Sequence, residues 1–191
     1  MFMHFLKSLN WIDLLMLAIL IRIVYIGMQA GFVIEMFKLL GAFLTVFICF
    51  HYYAPFAQVL VGITNSPWYN AAEVLSFLIL WGILFFICKL IRDGMFMLFT
   101  IDAQSFVNKW GGALLGIGRF FIIGSMALYL LFITRVEYFE TKTMGSFSGR
   151  HIVFVAPNFY SVLCEGFVSK VFPSEKVSKA VREQLKRVEP E

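Results

Sequence analysis

The sequence predicts an all-α integral membrane protein with four transmembrane helices and a C-terminal amphipathic helical tail. The composition and the length of the apolar runs carry this prediction. Apolar residues make up 60% of the 191 residues and charged residues only 15%, against roughly 45–50% and about 25% in soluble domains. Four runs are long enough to cross a hydrocarbon core of about 30 Å, which takes about 20 helical residues.

The four predicted spans cover residues 11–30, 32–53, 71–91 and 110–134. A short connection at 27–31 joins the first two spans as a helical hairpin. Lys7 precedes the first span without a small-residue cleavage site, so the span is predicted to be retained and not removed as a signal peptide.

Two longer connections separate the other spans. Residues 53–70 contain Pro55 and Pro67 and carry no charge, which predicts a turn-rich loop. Residues 92–108 contain the apolar patch 95–99, which is too short to span and either lies at the interface or extends the third helix.

The composition becomes polar after Arg135, which divides the chain into a membrane domain, 1–135, and a tail, 136–191. Apolar residues at three- and four-residue spacing predict an amphipathic helix over 157–172, lying on the membrane or on the spans. Ser174 is the predicted N-cap of a last helix with an apolar stripe to Val188.

The distribution of lysine and arginine predicts the orientation. With four spans, the connections at 27–31 and 92–108 share one side, whereas the uncharged 53–70 loop lies on the other. Both termini are therefore predicted outside the cytoplasm. The cations on the predicted cytoplasmic side are Lys38, Lys89, Arg92 and Lys109.

Three charges inside the predicted spans are candidate functional residues, because charge is costly in a bilayer. Arg22 lies about 16 Å along the first span from Trp11, and no acid lies at a matching depth. Arg119 and Glu35 lie on the same membrane side, so we expect an Arg119–Glu35 ion pair that fixes the helix packing.

Four glycines have the four-residue spacing that lets helix backbones approach closely in a membrane. Gly27 and Gly31 end the first span, and Gly112 and Gly116 begin the fourth. In a helix, Gly112, Gly116 and Arg119 share one face. The glycines are therefore predicted to be helix-packing residues.

Polar and aromatic residues at the span ends are predicted interface anchors: Trp11, Asp13, Asn108 and Lys109. Asp13 also suits the positive N-terminal end of a helix. The run His51-Tyr52-Tyr53 is interpreted as an aromatic belt that closes the second span.

The sequence contains no recognisable catalytic, cofactor-binding or metal-binding motif. The three histidines, at 4, 51 and 151, and the three cysteines, at 49, 88 and 164, are isolated from one another. The basic residues lie at span edges and in the tail, which favours lipid over nucleic acid. We therefore predict a non-enzymatic protein without cofactors, whose partners are the bilayer and either further copies of itself or other envelope proteins.

Several motifs, in this order and spacing, resemble those of the CvpA (colicin V production protein) family. They are Trp11-Ile12-Asp13, Gly31-Phe32-Val33-Ile34-Glu35, His51-Tyr52-Tyr53 and Asn108-Lys109-x-x-Gly112-x-x-x-Gly116-x-x-Arg119. Ala30, Asn108 and Phe120 depart from the family's usual basic residue, aspartate and glycine. The exchange at 108 argues against a role that requires a carboxylate there, whereas a capping role is compatible with asparagine.

The resemblance implies a four-helix protein of the bacterial inner membrane, associated with colicin V production or secretion and with envelope homeostasis. It implies no catalytic residue. One alternative is a small oligomeric transporter or channel with a polar pathway lined by Arg22, Glu35 and Arg119. Another is an anchor that presents its tail helices to a second protein.

Overall fold

The computed structural model describes residues 10–64, 69–96, 106–168 and 181, and the described residues form helices without strands. Four of these helices are long and apolar enough to cross a membrane, which confirms the predicted fold class. They are α1 (Trp11–Ala30), α2 (Phe32–Thr64), α3 (Tyr69–Phe96) and α4 (Phe106–Ile133).

Helix α4 occupies the centre of the bundle and packs against both α1 and α2, while α3 packs mainly on α2. Helices α1 and α2 meet at Gly31 but contact each other little beyond it. The predicted turn of the hairpin is therefore present, but its two helices do not pack against each other along their length. We call the end of the bundle at this turn the Gly31 end. The opposite end, where α1 begins and α4 ends, is the tail end.

Helix α2 is longer than the sequence predicted. It continues through Pro55 to Thr64, so the predicted turn-rich loop does not begin at Tyr53 and His51-Tyr52-Tyr53 does not close the span. Proline lacks an N–H and ordinarily breaks a helix, but membrane helices tolerate it because neighbouring groups satisfy the backbone locally. Residues 65–68, with Pro67, lie outside the described residues.

The third and fourth spans are also longer than predicted. Helix α3 begins at Tyr69 and extends to Phe96, into the apolar patch 95–99, and α4 begins at Phe106 instead of Trp110. Apolar runs locate the core of a span well, but helix ends depend on capping contacts that composition does not show. The remainder of the patch, Lys7 and His4 lie outside the described residues, and so does the predicted last helix at 174–188 apart from Val181, which is helical and buried.

The tail begins with three short helices, α5 (Glu137–Gly145), α6 (Phe147–Ile152) and α7 (Val155–Leu163), followed by a π-helical turn at Cys164–Val168. The sequence predicted neither α5 nor α6. It placed the start of the amphipathic helix at Pro157, whereas α7 begins two residues earlier. Proline fits there because the first turn of a helix has no intrahelical partner for its N–H groups.

The tail helices pack on the spans through buried polar contacts. The Ser125 hydroxyl of α4 donates to the Val153 carbonyl at 2.9 Å and accepts from the Ala156 N–H at 2.8 Å. The Asp13 carboxylate accepts from the Asn10 N–H at 3.3 Å and from the Ser148 N–H at 2.8 Å. One aspartate thus caps both α1 and α6.

An aromatic core lies near the tail end. Phe50 of α2 contacts the rings of Phe77 in α3, Tyr129 in α4 and Tyr160 in α7. The His51 ring lies 3.0 Å from the Tyr160 hydroxyl. Helix α7 is therefore part of the packed bundle, and of the two expected positions, on the membrane or on the spans, the structure has the second.

Candidate functional site

Helices α1 and α4 cross with their backbones in direct contact at two glycines. A Cβ atom built on Gly27 would lie 2.6 Å from the Gly112 carbonyl oxygen, and one built on Gly112 would overlap the Gly27 carbonyl oxygen. A Cβ atom on Gly116 would lie 3.3 Å from the Ile23 carbonyl oxygen. The two glycine pairs seen in the sequence thus meet each other.

Gly31 has a different environment, because it forms the turn between α1 and α2 with a positive φ of 84°. A side chain is strained in this conformation. The Asn108 side-chain oxygen accepts a hydrogen bond from the Phe32 N–H at 2.6 Å, so Asn108 of α4 caps the first turn of α2. Asn108 therefore has the capping role that is compatible with asparagine, but it caps the neighbouring α2 and not its own helix.

The other three predicted anchors separate into two environments. Trp11 and Lys109 are exposed, as expected of groups at a membrane interface. Asp13 is buried, with 6% of its surface exposed, because its carboxylate accepts the two helix-end hydrogen bonds described above. Asp13 therefore has the expected role of an acid at the N-terminal end of α1, and its interpretation as an interface anchor stays a prediction.

Near the Gly31 end, a buried carboxylate pairs with two cations. Glu35 has no exposed surface. One of its oxygens lies 3.0 Å from Nη1 of Arg119, and the other lies 2.5 Å from Nζ of Lys38. The expected contact between Glu35 and Arg119 is therefore present. Lys38 was not predicted as a partner, although its three-residue spacing from Glu35 in a helix was a usable signal.

A cavity of about 340 Å³ adjoins this cluster and contacts all four long helices. We call it the basic cavity, because four cations line it together with apolar side chains. Arg22 and Glu35 are not among the lining residues, so of the three charges proposed for a polar pathway only Arg119 reaches it. The transporter alternative stays a prediction. The lining cations are Lys38, Lys89, Arg92 and Arg119.

Arg22 lies on an exposed face of α1. In the part of the chain that the structure describes, it forms no ion pair and no hydrogen bond. Its side chain therefore faces outward, away from the other helices of the bundle.

The sequence reasoning missed a second buried acid, near the tail end. Glu73 of α3 has 4% of its surface exposed, and its carboxylate lies 3.3 Å from Nη2 of Arg135. Arg135 follows α4 and has a positive φ of 53°, which is uncommon for a residue with a side chain. Glu73 was detectable as the single acid within the predicted third span.

The described residues contain no group of three or more histidine, cysteine or acidic side chains that could hold a metal ion. His151 contacts the Phe147 carbonyl within its own turn at 3.0 Å, and His51 contacts Tyr160. The arrangement at the Gly31 end is thus a tightly packed helix crossing beside an ion-paired carboxylate and a cation-lined cavity.

A family model described as "Colicin V production protein" matches residues 12–157. The match covers the four spans and continues through α5 and α6 into the start of α7, beyond the region in which the motifs were recognised. No curated protein and no solved structure gives a significant match.

Proposed function

The chain belongs to the colicin V production protein family, and from that membership we propose that it is a non-enzymatic protein of the bacterial inner membrane. It acts in toxin production or secretion and in envelope homeostasis, and it does so through protein partners. The exposure of Arg22 is the observation that supports a function through protein partners. An unpaired charge inside a span is costly, and a polar or acidic group on another chain offsets that cost.

Cross-linking from α1 tests this proposal. Tyr25, which is 61% exposed, lies one turn from Arg22, so a photoreactive amino acid at position 25 samples the same face. We expect a discrete protein adduct in living cells. Arg22→Gln should lower its yield at least about threefold, since intramembrane polar contacts are worth about 0.6 kcal/mol or more.

Two differently tagged copies in one cell tell whether the adduct joins this chain to itself or to another protein. The matched control places the probe at Leu114, which is 70% exposed on α4, in the same two backgrounds. Lipid adducts alone at position 25, or a yield that Arg22→Gln leaves unchanged, would contradict the proposal.

The proposed orientation has the Gly31 end in the cytoplasm and both termini outside it. The support is the position of Lys38, Lys89, Arg92 and Lys109 near span ends at the Gly31 end, together with the absence of charge from the 53–70 connection on the other side, since lysine and arginine near span ends favour the cytoplasmic side. Alkaline phosphatase fused after the last residue is expected to be active, and a green fluorescent protein at the same point dark. Fusions to chains truncated after Phe96 should give the opposite pattern, and the same pattern from both fusion points would refute this orientation.

A further inference from the structure

Among the described residues, the basic cavity has an excess of positive charge that their acids do not neutralise. Four cations line it, and the acids paired with them are Glu35, which pairs with Lys38 and Arg119, and Asp93, whose carboxylate lies 2.6 Å from Arg92. Lys89 is exposed at the cavity. An anion in this space would meet cations from α2, α3 and α4.

Arg119 supplies a second, independent observation. Only 9% of its surface is exposed, yet its Nε atom has no hydrogen-bond partner among the described residues. A buried donor without a partner is unfavourable, and more so when the group is charged. Arg119 is one of the lining residues, so this donor belongs to a side chain that an oxyanion in the cavity would contact.

An apolar groove lies beside the basic cavity, between α3 and α4. The groove also has a volume of about 340 Å³, and it shares Trp81, Phe85 and Ile123 with the cavity before reaching Leu78 and Gly82. A Cβ atom on Gly82 would meet nothing within 4 Å. The two spaces adjoin, and together they form a recess with a charged site beside an apolar channel.

We propose that this recess is a binding site for an anionic phospholipid, with the phosphate in the basic cavity and an acyl chain in the groove. Lys38 lies about 9 Å and Lys89 about 10.5 Å from the nearest ends of their helices. Lysine side chains can extend toward the headgroups from this depth. Phosphate oxygens accept charge-assisted hydrogen bonds from lysine and arginine. A zwitterionic lipid lacks the net charge that the four cations favour.

Lipid titration of the purified full-length protein, followed by native mass spectrometry, tests the proposal. We expect phosphatidylglycerol to bind more tightly than phosphatidylcholine with the same chains. Lys89→Gln should weaken phosphatidylglycerol binding about fivefold, in line with the usual contribution of one lysine near an anionic lipid. Lys109→Gln is the matched control, because Lys109 is an exposed lysine of the Gly31 end outside the cavity.

The groove is tested separately. Gly82→Leu places a side chain in the groove and should weaken phosphatidylglycerol binding at least threefold, because it displaces acyl methylene groups. Gly62→Leu, at another glycine with open space around its Cβ position, should not. Equal binding of the two lipids would overturn the proposal. Displacement of the lipid by inorganic phosphate, with no effect of Gly82→Leu, would also overturn it and assign the cavity to a soluble anion.

Discussion

Replacing Gly112 with leucine should destabilise the bundle by about 3 kcal/mol or more. Overpacking a core costs about 1–3 kcal/mol where side chains can yield, but here the new Cβ atom would overlap the backbone carbonyl of Gly27. Backbone cannot rotate away, so α1 must move off α4 and lose much of the contact between them. The free energy of unfolding in mixed micelles, titrated with a denaturing detergent, measures the effect.

The matched comparison is between Gly112→Ala and Gly118→Ala. Both changes add one methyl group in α4 and gain the same helix propensity, but a Cβ atom on Gly118 meets only Leu39 at 3.9 Å. We expect Gly112→Ala to destabilise the bundle and Gly118→Ala to be neutral or stabilising. If the two variants unfolded at the same detergent fraction, the close crossing of α1 and α4 would be unimportant for stability.

The sequence predicted the four spans because their apolar runs are long and largely free of charge. It misplaced the ends for identifiable reasons. Pro55 ordinarily signals the end of a helix, but in α2 the chain continues for nine residues to Thr64. The start of α4 at Phe106 brings Asn108 against the first turn of α2, a contact between residues 76 apart that no local pattern contains.

The candidate site was predictable only in part, for a similar reason. The spacing of Gly112 and Gly116 and the depth of Glu35 and Arg119 could be read from single helices. The pairing of Gly27 with Gly112, however, depends on which helices are neighbours. The basic cavity depends on three helices converging with their cations toward one space, and hydrophobic periodicity does not specify that arrangement.

The docking of the tail shows the same limit. Ser125 is an unremarkable hydroxyl inside an apolar span, yet in the fold it holds the backbone between α6 and α7. Its role depends on a segment 28 residues away that the sequence interpretation placed in a separate tail. Residues 137–163 pack on the spans, and the contacts that hold them there join residues far apart in the sequence.

Glu35→Gln should cost about 3–5 kcal/mol of unfolding free energy, the usual penalty for removing one partner of a buried ion pair. The penalty arises because Lys38 and Arg119 both lose the carboxylate that neutralises them. Arg119→Gln should cost less, since Glu35 keeps its contact with Lys38. Detergent titration of the two single variants and the double variant gives the coupling energy between Glu35 and Arg119.

The order of the two losses in unfolding free energy, larger for Glu35→Gln than for Arg119→Gln, distinguishes an electrostatic cause from a loss of packing. If packing alone mattered, Arg119→Gln would be the more damaging change, because it removes the larger side chain from a nearly buried position, whereas Glu35→Gln keeps shape and size. Asp93→Asn is the control, since it breaks the more exposed pair with Arg92, and such pairs contribute about 0–1 kcal/mol. A Glu35→Gln bundle as stable as the parent would mean that the cluster is not what fixes α2 against α4, and that its charges serve only the cavity beside them.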